Sequence, residues 1–293
     1  MSHRKTINTI VAIEGVGLHS GIYTRLELRP AEAGTGLLFV RTDLKGMQIP
    51  ALQSSTTALD HATTVGKDDV AIGTVEHLLS AVVAFGITDL EMHLDGSEIP
   101  IVDGSALPFV HLLEAAGMHE LEETIEPIRI RRAITVRDGE KEITIRPASR
   151  LSIRYRIDFP HPAIGRQNLQ FDLTPDQFTR KIAPARTFGF LRDVEKLRAA
   201  GLARGGSVDN CIVLDDNGVS NGELRFRDEF VRHKTLDLIG DLALLGRPIV
   251  GEIDAYKGGH ALHSRFVAAI LAACEQDESR TESHQREESA VSN

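Results

Sequence analysis

Three side chains in the segment Val231-Arg-His-Lys-Thr-Leu-Asp-Leu-Ile-Gly-Asp241 have the types and the spacing of a metal site. On a helix His233, Asp237 and Asp241 stand at i, i+4 and i+8, and each step turns only about 40° round the axis, so all three share one stripe. An imidazole and a carboxylate four residues apart can grip one divalent cation, with the third polar group behind them. Leu236, Leu238, Ile239 and Leu242 are left to pack elsewhere. The same spacing also occurs on solvated helix faces, where it amounts to an ordinary ion pair. A second fragment, Glu76-His77, opens another helix and offers a second neutral nitrogen ligand and a carboxylate that need not bind the metal. Catalytic zinc sites keep three protein ligands and one open position, and a free Glu beside them can take the proton of water. The plainer alternative is a glutamate favouring a helix N-terminus next to a core histidine. The chain has no HExxH, CxxC pair or HxH, so a metal site has to be assembled from distant segments.

His260 lies in Ala255-Tyr-Lys-Gly-Gly-His-Ala-Leu-His263, a glycine-rich turn that can present an imidazole to a cleft as a general acid, or simply leave it in water at a helix start. Gly205-Gly206 and Gly258-Gly259 can approach phosphates through their backbones, but neither is a Walker A or GxGxxG pattern. Cys211, in a β-prone stretch, reads as core packing.

The elements that must position these residues come in two similar runs. Short alternating strands such as Thr24-Arg-Leu-Glu-Leu-Arg are followed by a helix from about Thr74 to Gly86, the strand Asp89-Leu-Glu-Met-His-Leu, and a helix over about Leu107 to Ala116. From about Ile125 the order returns: strands, a helix from about Arg232 to Leu245, the strand Ile249 to Tyr256, and a helix over about Leu262 to Ala273. This order implies an α+β protein whose two halves arose by internal duplication. The expected domains are 1–124 and 125–274, the second with an insertion at about 179–206 that has no counterpart in the first half. Long insertions in compact domains are often functional. Residues 275–293 hold six acids and two arginines and are expected to form a disordered acidic tail.

At 293 residues the chain is long enough for two cores. Its net charge of −9 disfavours a surface built to grip nucleic acid. The tail carries −4 of it, which leaves −5 on the body and room for a local cation cluster facing an anionic small molecule. Two cysteines, Cys211 and Cys274, are too few for a disulfide framework and fit a reducing compartment. The N-terminal apolar stretch stops at Glu14 and the longest apolar run, Leu78 to Ile87, is too short for a membrane span, so a cytoplasmic protein without integral spans is expected.

Six motifs in order, spanning about residues 3 to 274, closely resemble the UDP-3-O-acyl-N-acetylglucosamine deacetylases of lipid A biosynthesis. They are Gly15-Val-Gly-Leu-His-Ser-Gly, Thr74-Val-Glu-His-Leu, Glu98-Ile-Pro-Ile-Val-Asp-Gly-Ser, Ala185-Arg-Thr-Phe-Gly-Phe, Phe230-Val-Arg-His-Lys-Thr-Leu-Asp-Leu-Ile-Gly-Asp and Lys257-Gly-Gly-His-Ala-Leu. The resemblance implies two similar two-layer α/β sandwich domains with the active site between them, and a zinc-dependent amidase that releases acetate from a UDP-linked, 3-O-acylated N-acetylglucosamine, the committed step of that pathway in Gram-negative bacteria. It also implies His77, His233 and Asp237 as metal ligands, Glu76 as general base, and His260 as the electrophilic or acid partner with Asp241 behind it. Thr187 resembles the residue that helps hold the oxyanion. Lys234, Lys257, Phe159, Phe188 and Leu18 correspond to substrate contacts: the lysines to phosphate or nucleotide, Phe159 to uracil, Phe188 to the sugar. The 179–206 insertion, with Phe190, Leu191 and Val194, corresponds to an acyl-chain passage. Zn²⁺ is the implied metal, Fe²⁺ an alternative occupant of a two-His-one-Asp site, and a monomer is expected. Two other readings fit the same residues: a zinc deacetylase of a different N-acyl sugar that lacks the lipid passage, and a metal-stabilised binding module for nucleotide sugars in which Glu76 has no role.

Overall fold

The computed structural model describes residues 1–291 of the chain, 278 and 280–291 in backbone only. Two five-stranded sheets carry the architecture. The first contains β1 (Val11–Val16), β2 (Tyr23–Pro30), β3 (Leu37–Arg41), β4 (Met47–Pro50) and β5 (Leu90–Leu94), in the order β1-β2-β5-β3-β4. The second contains β6 (Ile134–Asp138), β7 (Lys141–Arg146), β8 (Ser152–Phe159), β9 (Gly165–Asp172) and β10 (Glu252–Tyr256), in the order β6-β7-β10-β8-β9. The pairings match strand for strand. In each sheet the only parallel contact is the fourth strand of the order against the third, β3 on β5 and β8 on β10. Alternation along the strands sends Leu26, Leu28, Met92, Ile153, Tyr155, Ile157 and Ile253 to the covered faces.

Six α-helices lie among the described residues: α1 (Glu76–Ala84), α2 (Leu107–Ala116), α3 (Pro175–Lys181), α4 (Leu191–Ala199), α5 (Glu229–Leu242) and α6 (His260–Val291). α1 precedes β5 as α5 precedes β10, and α2 follows β5 as α6 follows β10. The α+β class and the internal repeat expected from the sequence are therefore those of the fold. α1 and α5 lie side by side and are buried on nearly every side, which only a helix enclosed by other elements permits. Their approach depends on Gly240, where a β-carbon would stand 2.1 Å from the carbonyl oxygen of Glu76. Any larger residue there would push the two helices apart.

Two local expectations are corrected. α5 starts at Glu229 and gives way to a 3₁₀ turn, Ala243–Leu245, so His233 sits one turn inside the helix. The stretch expected to be unique to the second half has a positional counterpart. Between β4 and α1 the first half carries a small sheet of Thr56–Ala58, Thr64–Lys67 and Val70–Ile72, while α3, α4 and the paired strands Phe188–Phe190 and Ile212–Leu214 fill the same place between β9 and α5. Strands of three or four residues leave too little alternation to be read in advance. The described part of α6 runs to Val291, and residues 292–293 lie outside the described ones. Glu, Gln and Arg are good helix formers, and no Gly or Pro follows Gly259 to stop propagation from the packed start of α6. No helix among the described residues is long and apolar enough to cross a membrane.

Candidate active site

The start of α1 is held by a buried carboxylate. Glu98 accepts hydrogen bonds from the Thr74 hydroxyl (2.7 Å) and from the backbone N–H groups of His19 (2.9 Å) and Ser20 (2.7 Å). It ties the Gly15-to-Gly21 loop to the turn before α1 and so brings Leu18 and His19 beside Glu76 and His77. α1 then presents Glu76 and His77 from its first turn, while α5 presents His233, Asp237 and Asp241 along one stripe. All five side chains are buried, so the solvated-face alternative does not hold.

His77, His233 and Asp237 form a group whose potential ligand atoms lie within 4.8 Å of one another. His233 Nε2 is 3.4 Å and His77 Nε2 is 3.9 Å from Asp237 Oδ1. Tetrahedral ligation at Zn–N and Zn–O distances near 2 Å separates ligand atoms by roughly 3.4 Å, so the spacing fits. Two further observations agree. Asp237 Oδ1 has no hydrogen-bond partner although it is buried, while Oδ2 accepts from Lys234 Nζ at 2.5 Å. His233 Nδ1 donates to the carbonyl oxygen of Ala185 (3.2 Å), which leaves the Nε2 lone pair facing Asp237. Burial pushes the His77 ring down to about 3, so it is neutral and able to ligate. Burial alone would raise the Asp237 carboxyl, but the Lys234 ammonium and the surrounding imidazoles hold it far below the usual range.

A second group stands against the first. His260, the first residue of α6, points Nε2 toward Glu76 Oε1 and Asp237 Oδ2, each at 3.9 Å, and its Nδ1 is 3.0 Å from Asp241 Oδ2. Burial works against a charged ring, yet Asp241 raises it to about 9, so His260 is an imidazolium near neutral pH. Burial drives the Glu76 carboxyl the other way from its usual value, up to about 8, against the pull of His260. Both values lie above neutrality and close together, so the two groups that face this space titrate in the same alkaline range, the carboxyl just before the imidazolium.

That space is a cavity of about 260 Å³ lined by Leu18, Glu76, His77, Phe159, Thr187, Phe188, His233, Lys234, Asp237 and His260, among others. Ten of the twelve residues singled out from the sequence therefore share one cavity. Asp241 sits behind His260, as expected. Lys257 is absent from the lining, and its ammonium pairs with Glu140 (2.9 Å) and Asp158 (3.7 Å). The Phe159 and Phe188 rings meet edge to face at 6.0 Å. Thr187 is fixed by its backbone, N–H to Gly104 O (2.7 Å) and C=O from Ile212 N–H (2.8 Å). Gly104 has φ +83° and lies so close to Asn210 that a β-carbon would meet its carbonyl oxygen at 2.1 Å. A second cavity, about 610 Å³, shares Leu18, Thr187 and Phe188 and continues along Phe190, Leu191, Val194 and Leu197. The insertion therefore walls an apolar passage that opens into the polar site.

Sequence reasoning assigned no role to Thr63, His263, Tyr155 or Glu98. Their polar partners are remote in the chain, and no periodicity announces them.

The chain matches the family model described as UDP-3-O-acyl N-acetylglycosamine deacetylase over residues 4–272. It is 49% identical over 272 residues to the UDP-3-O-acyl-N-acetylglucosamine deacetylase of Myxococcus xanthus, covering 92% of this chain and 87% of that one. The enzyme of the same name from Helicobacter pylori strain J99 is 46% identical over 268 residues (91% and 90% coverage), and that of Leptospira biflexa 46% over 272 residues (92% and 90%).

Proposed function

Because this chain belongs to the UDP-3-O-acyl-N-acetylglucosamine deacetylase family, we propose that it hydrolyses the N-acetyl group of UDP-3-O-(3-hydroxyacyl)-N-acetylglucosamine, giving acetate and the free amine. One observation carries the reading. A two-His-one-Asp triad, a buried carboxylate and a carboxylate-backed imidazolium converge on one cavity that continues into an apolar passage.

In this reading His77, His233 and Asp237 hold a divalent cation, Zn²⁺ or in the cell Fe²⁺, which supplies Lewis acidity toward an acyl carbonyl and a water molecule. Glu76 takes the proton of the attacking water. Its Oε1 faces His260 Nε2 at 3.9 Å beside the cavity, and burial makes its carboxylate a stronger base than a solvated one. Thr187, fixed at the edge of the cavity, meets the carbonyl oxygen as it becomes an oxyanion. His260, kept protonated by Asp241, gives its Nε2 proton to the departing nitrogen, so the amine leaves neutral. Lys234 faces the nucleotide diphosphate, with Lys257 as its outer partner. Phe159 serves the uracil, Phe188 and Leu18 the sugar, and Phe190, Leu191 and Val194 the acyl chain. The same reading takes 1–124 and 125–274 as the two domains, and has the protein act as a cytoplasmic monomer at the committed step of lipid A biosynthesis.

The experiment is metal analysis coupled to acetate release from UDP-3-O-acyl-N-acetylglucosamine and from UDP-N-acetylglucosamine without the acyl chain. The expected result is one equivalent of metal and turnover that falls by at least about a hundredfold in kcat/KM when the acyl chain is absent. A metal-loaded protein that binds the acylated substrate and releases no acetate would leave only a nucleotide-sugar binding module. Equal turnover of both substrates would remove the passage from the account.

A further inference from the structure

We propose that Thr63 is a positioning residue that holds the base and the acid of the site in one hydrogen-bonded frame. The inference rests on the functional reading above and concerns a residue to which that reading gives no role. Thr63 is fully buried in the loop before the strand Thr64–Lys67. Its backbone N–H donates to Glu76 Oε2 (3.1 Å), and its C=O accepts from the N–H of Val75 (3.3 Å), the residue just before α1. Its hydroxyl donates to Asp241 Oδ1 (2.5 Å) and lies 3.0 Å from His260 Nδ1. One residue thus touches the carboxylate from α1, the carboxylate from α5 and the imidazole from α6.

Donor counting fixes what these contacts do. A hydroxyl has one proton, and an ionised carboxylate only accepts, so the Thr63 proton belongs to Asp241. Toward His260 the oxygen can then only accept, which requires the proton on Nδ1. That proton lies between Asp241 Oδ2 and Thr63 Oγ1, each 3.0 Å from Nδ1. The ring is thereby held with Nε2 toward Glu76 and Asp237. Asp241 is secured from the far side as well: His263 Nδ1 donates to Oδ2 (2.7 Å), and His263 Nε2 accepts from the Tyr155 hydroxyl (3.0 Å). Without the Thr63 hydroxyl, Oδ1 of a buried carboxylate loses its donor and the ring loses one of its two acceptors. Neither loss touches the substrate cavity, whose lining does not include Thr63.

Thr63→Val keeps the volume, the β-branch and the backbone N–H, and removes only the hydroxyl, while Thr63→Ser keeps the hydroxyl. Thr63→Val is expected to lower kcat by about 10–100-fold, the scale of leaving a buried carboxylate oxygen without its donor. KM should stay within about twofold, the pattern of an interaction realised mainly in the transition state. Metal content should not change, and Thr63→Ser should recover most of the rate. Ring ¹⁵N–¹H correlation of His260 gives a reading that does not depend on turnover: the Nδ1–H signal of the native protein should persist in Thr63→Ser and shift or exchange faster in Thr63→Val. If Thr63→Val fails to fold, Thr63→Ala is compared with Thr63→Ser in its place. Thr63→Val with native kcat and an unchanged ring signal would overturn the proposal, as would a Thr63→Ser protein as slow as Thr63→Val. Absence of acetate release from the native protein would instead overturn the functional reading, and the ring signal would still decide the role of Thr63.

Discussion

The two halves share strand order, parallel contact and helix placement, yet their chemistry is unequal. In α1 the positions four and eight after His77 are Ala81 and Phe85, whereas in α5 those after His233 are Asp237 and Asp241. α2 starts on Leu107 where α6 starts on His260. The insertions at the equivalent point differ too: the first half closes with a small sheet that brings Thr63 to the site, the second opens an apolar passage. A repeated scaffold therefore fixes where the helices cross, and sequence divergence at matching positions decides which titratable side chains each half brings to the cavity and which half carries the apolar passage.

If both halves are needed for one centre, removing a ligand from either should act alike. His77→Ala from the first half and Asp237→Ala from the second should each lose bound metal and lower deacetylation by about a thousandfold or more, equivalent to several kcal/mol of transition-state stabilisation. Metal analysis beside acetate release checks this, and a His77→Ala protein that kept full metal and rate would confine the centre to the second half. The next effect separates base from acid. Glu76 acts ionised, so kcat/KM should rise as pH increases through its pKa, and His260 acts protonated, so the rate should fall as pH increases through the His260 value. Glu76→Gln should cost about 10²–10⁴-fold and abolish the low-pH limb, and His260→Ala should abolish the high-pH limb. An unchanged high-pH limb in His260→Ala would remove His260 from the proton balance.

Smaller effects test the scaffold. Gly240→Ala puts a methyl group against the Glu76 carbonyl and should destabilise the fold by about 1–3 kcal/mol, seen as a lower Tm, with rate loss beyond that expected from unfolding. A native Tm would show that the helix crossing yields freely. The smallest effect belongs to the passage wall. Burial pushes the Cys211 thiol up to about 11, so at pH 8 it should alkylate about a hundredfold more slowly than in the denatured chain, and faster as pH rises. Equal rates in both states would mean that the passage is open to water at Cys211.

Much of this was legible in the chain because it is local. The His233-Asp237-Asp241 stripe follows from helical periodicity alone, and α2 falls at Leu107–Ala116, as its apolar spacing and the following Gly117 indicate. The partners of Asp241 were not legible. Thr63 is 178 residues away, and His263, although only 22 residues on, is brought there by the return of α6 through β10. Hydrogen bonds across such separations leave no period in the sequence. Lys257 shows the converse, a motif residue whose ammonium is already occupied by Glu140 and Asp158.

By itself the sequence determined most of the longer elements, the duplication and the His233-Asp237-Asp241 stripe, since these depend on periodicity, capping and residue chemistry, while the resemblance of its motifs to a known family named most of the other groups that meet in the cavity. Only the tertiary structure decided that the two helices touch at Gly240, that Asp237 keeps one oxygen free, that Asp241 is held by three donors and that the passage joins the polar site. Each of these depends on atoms placed within a few tenths of an ångström across remote segments, a distance that close packing sets and that linear order does not contain.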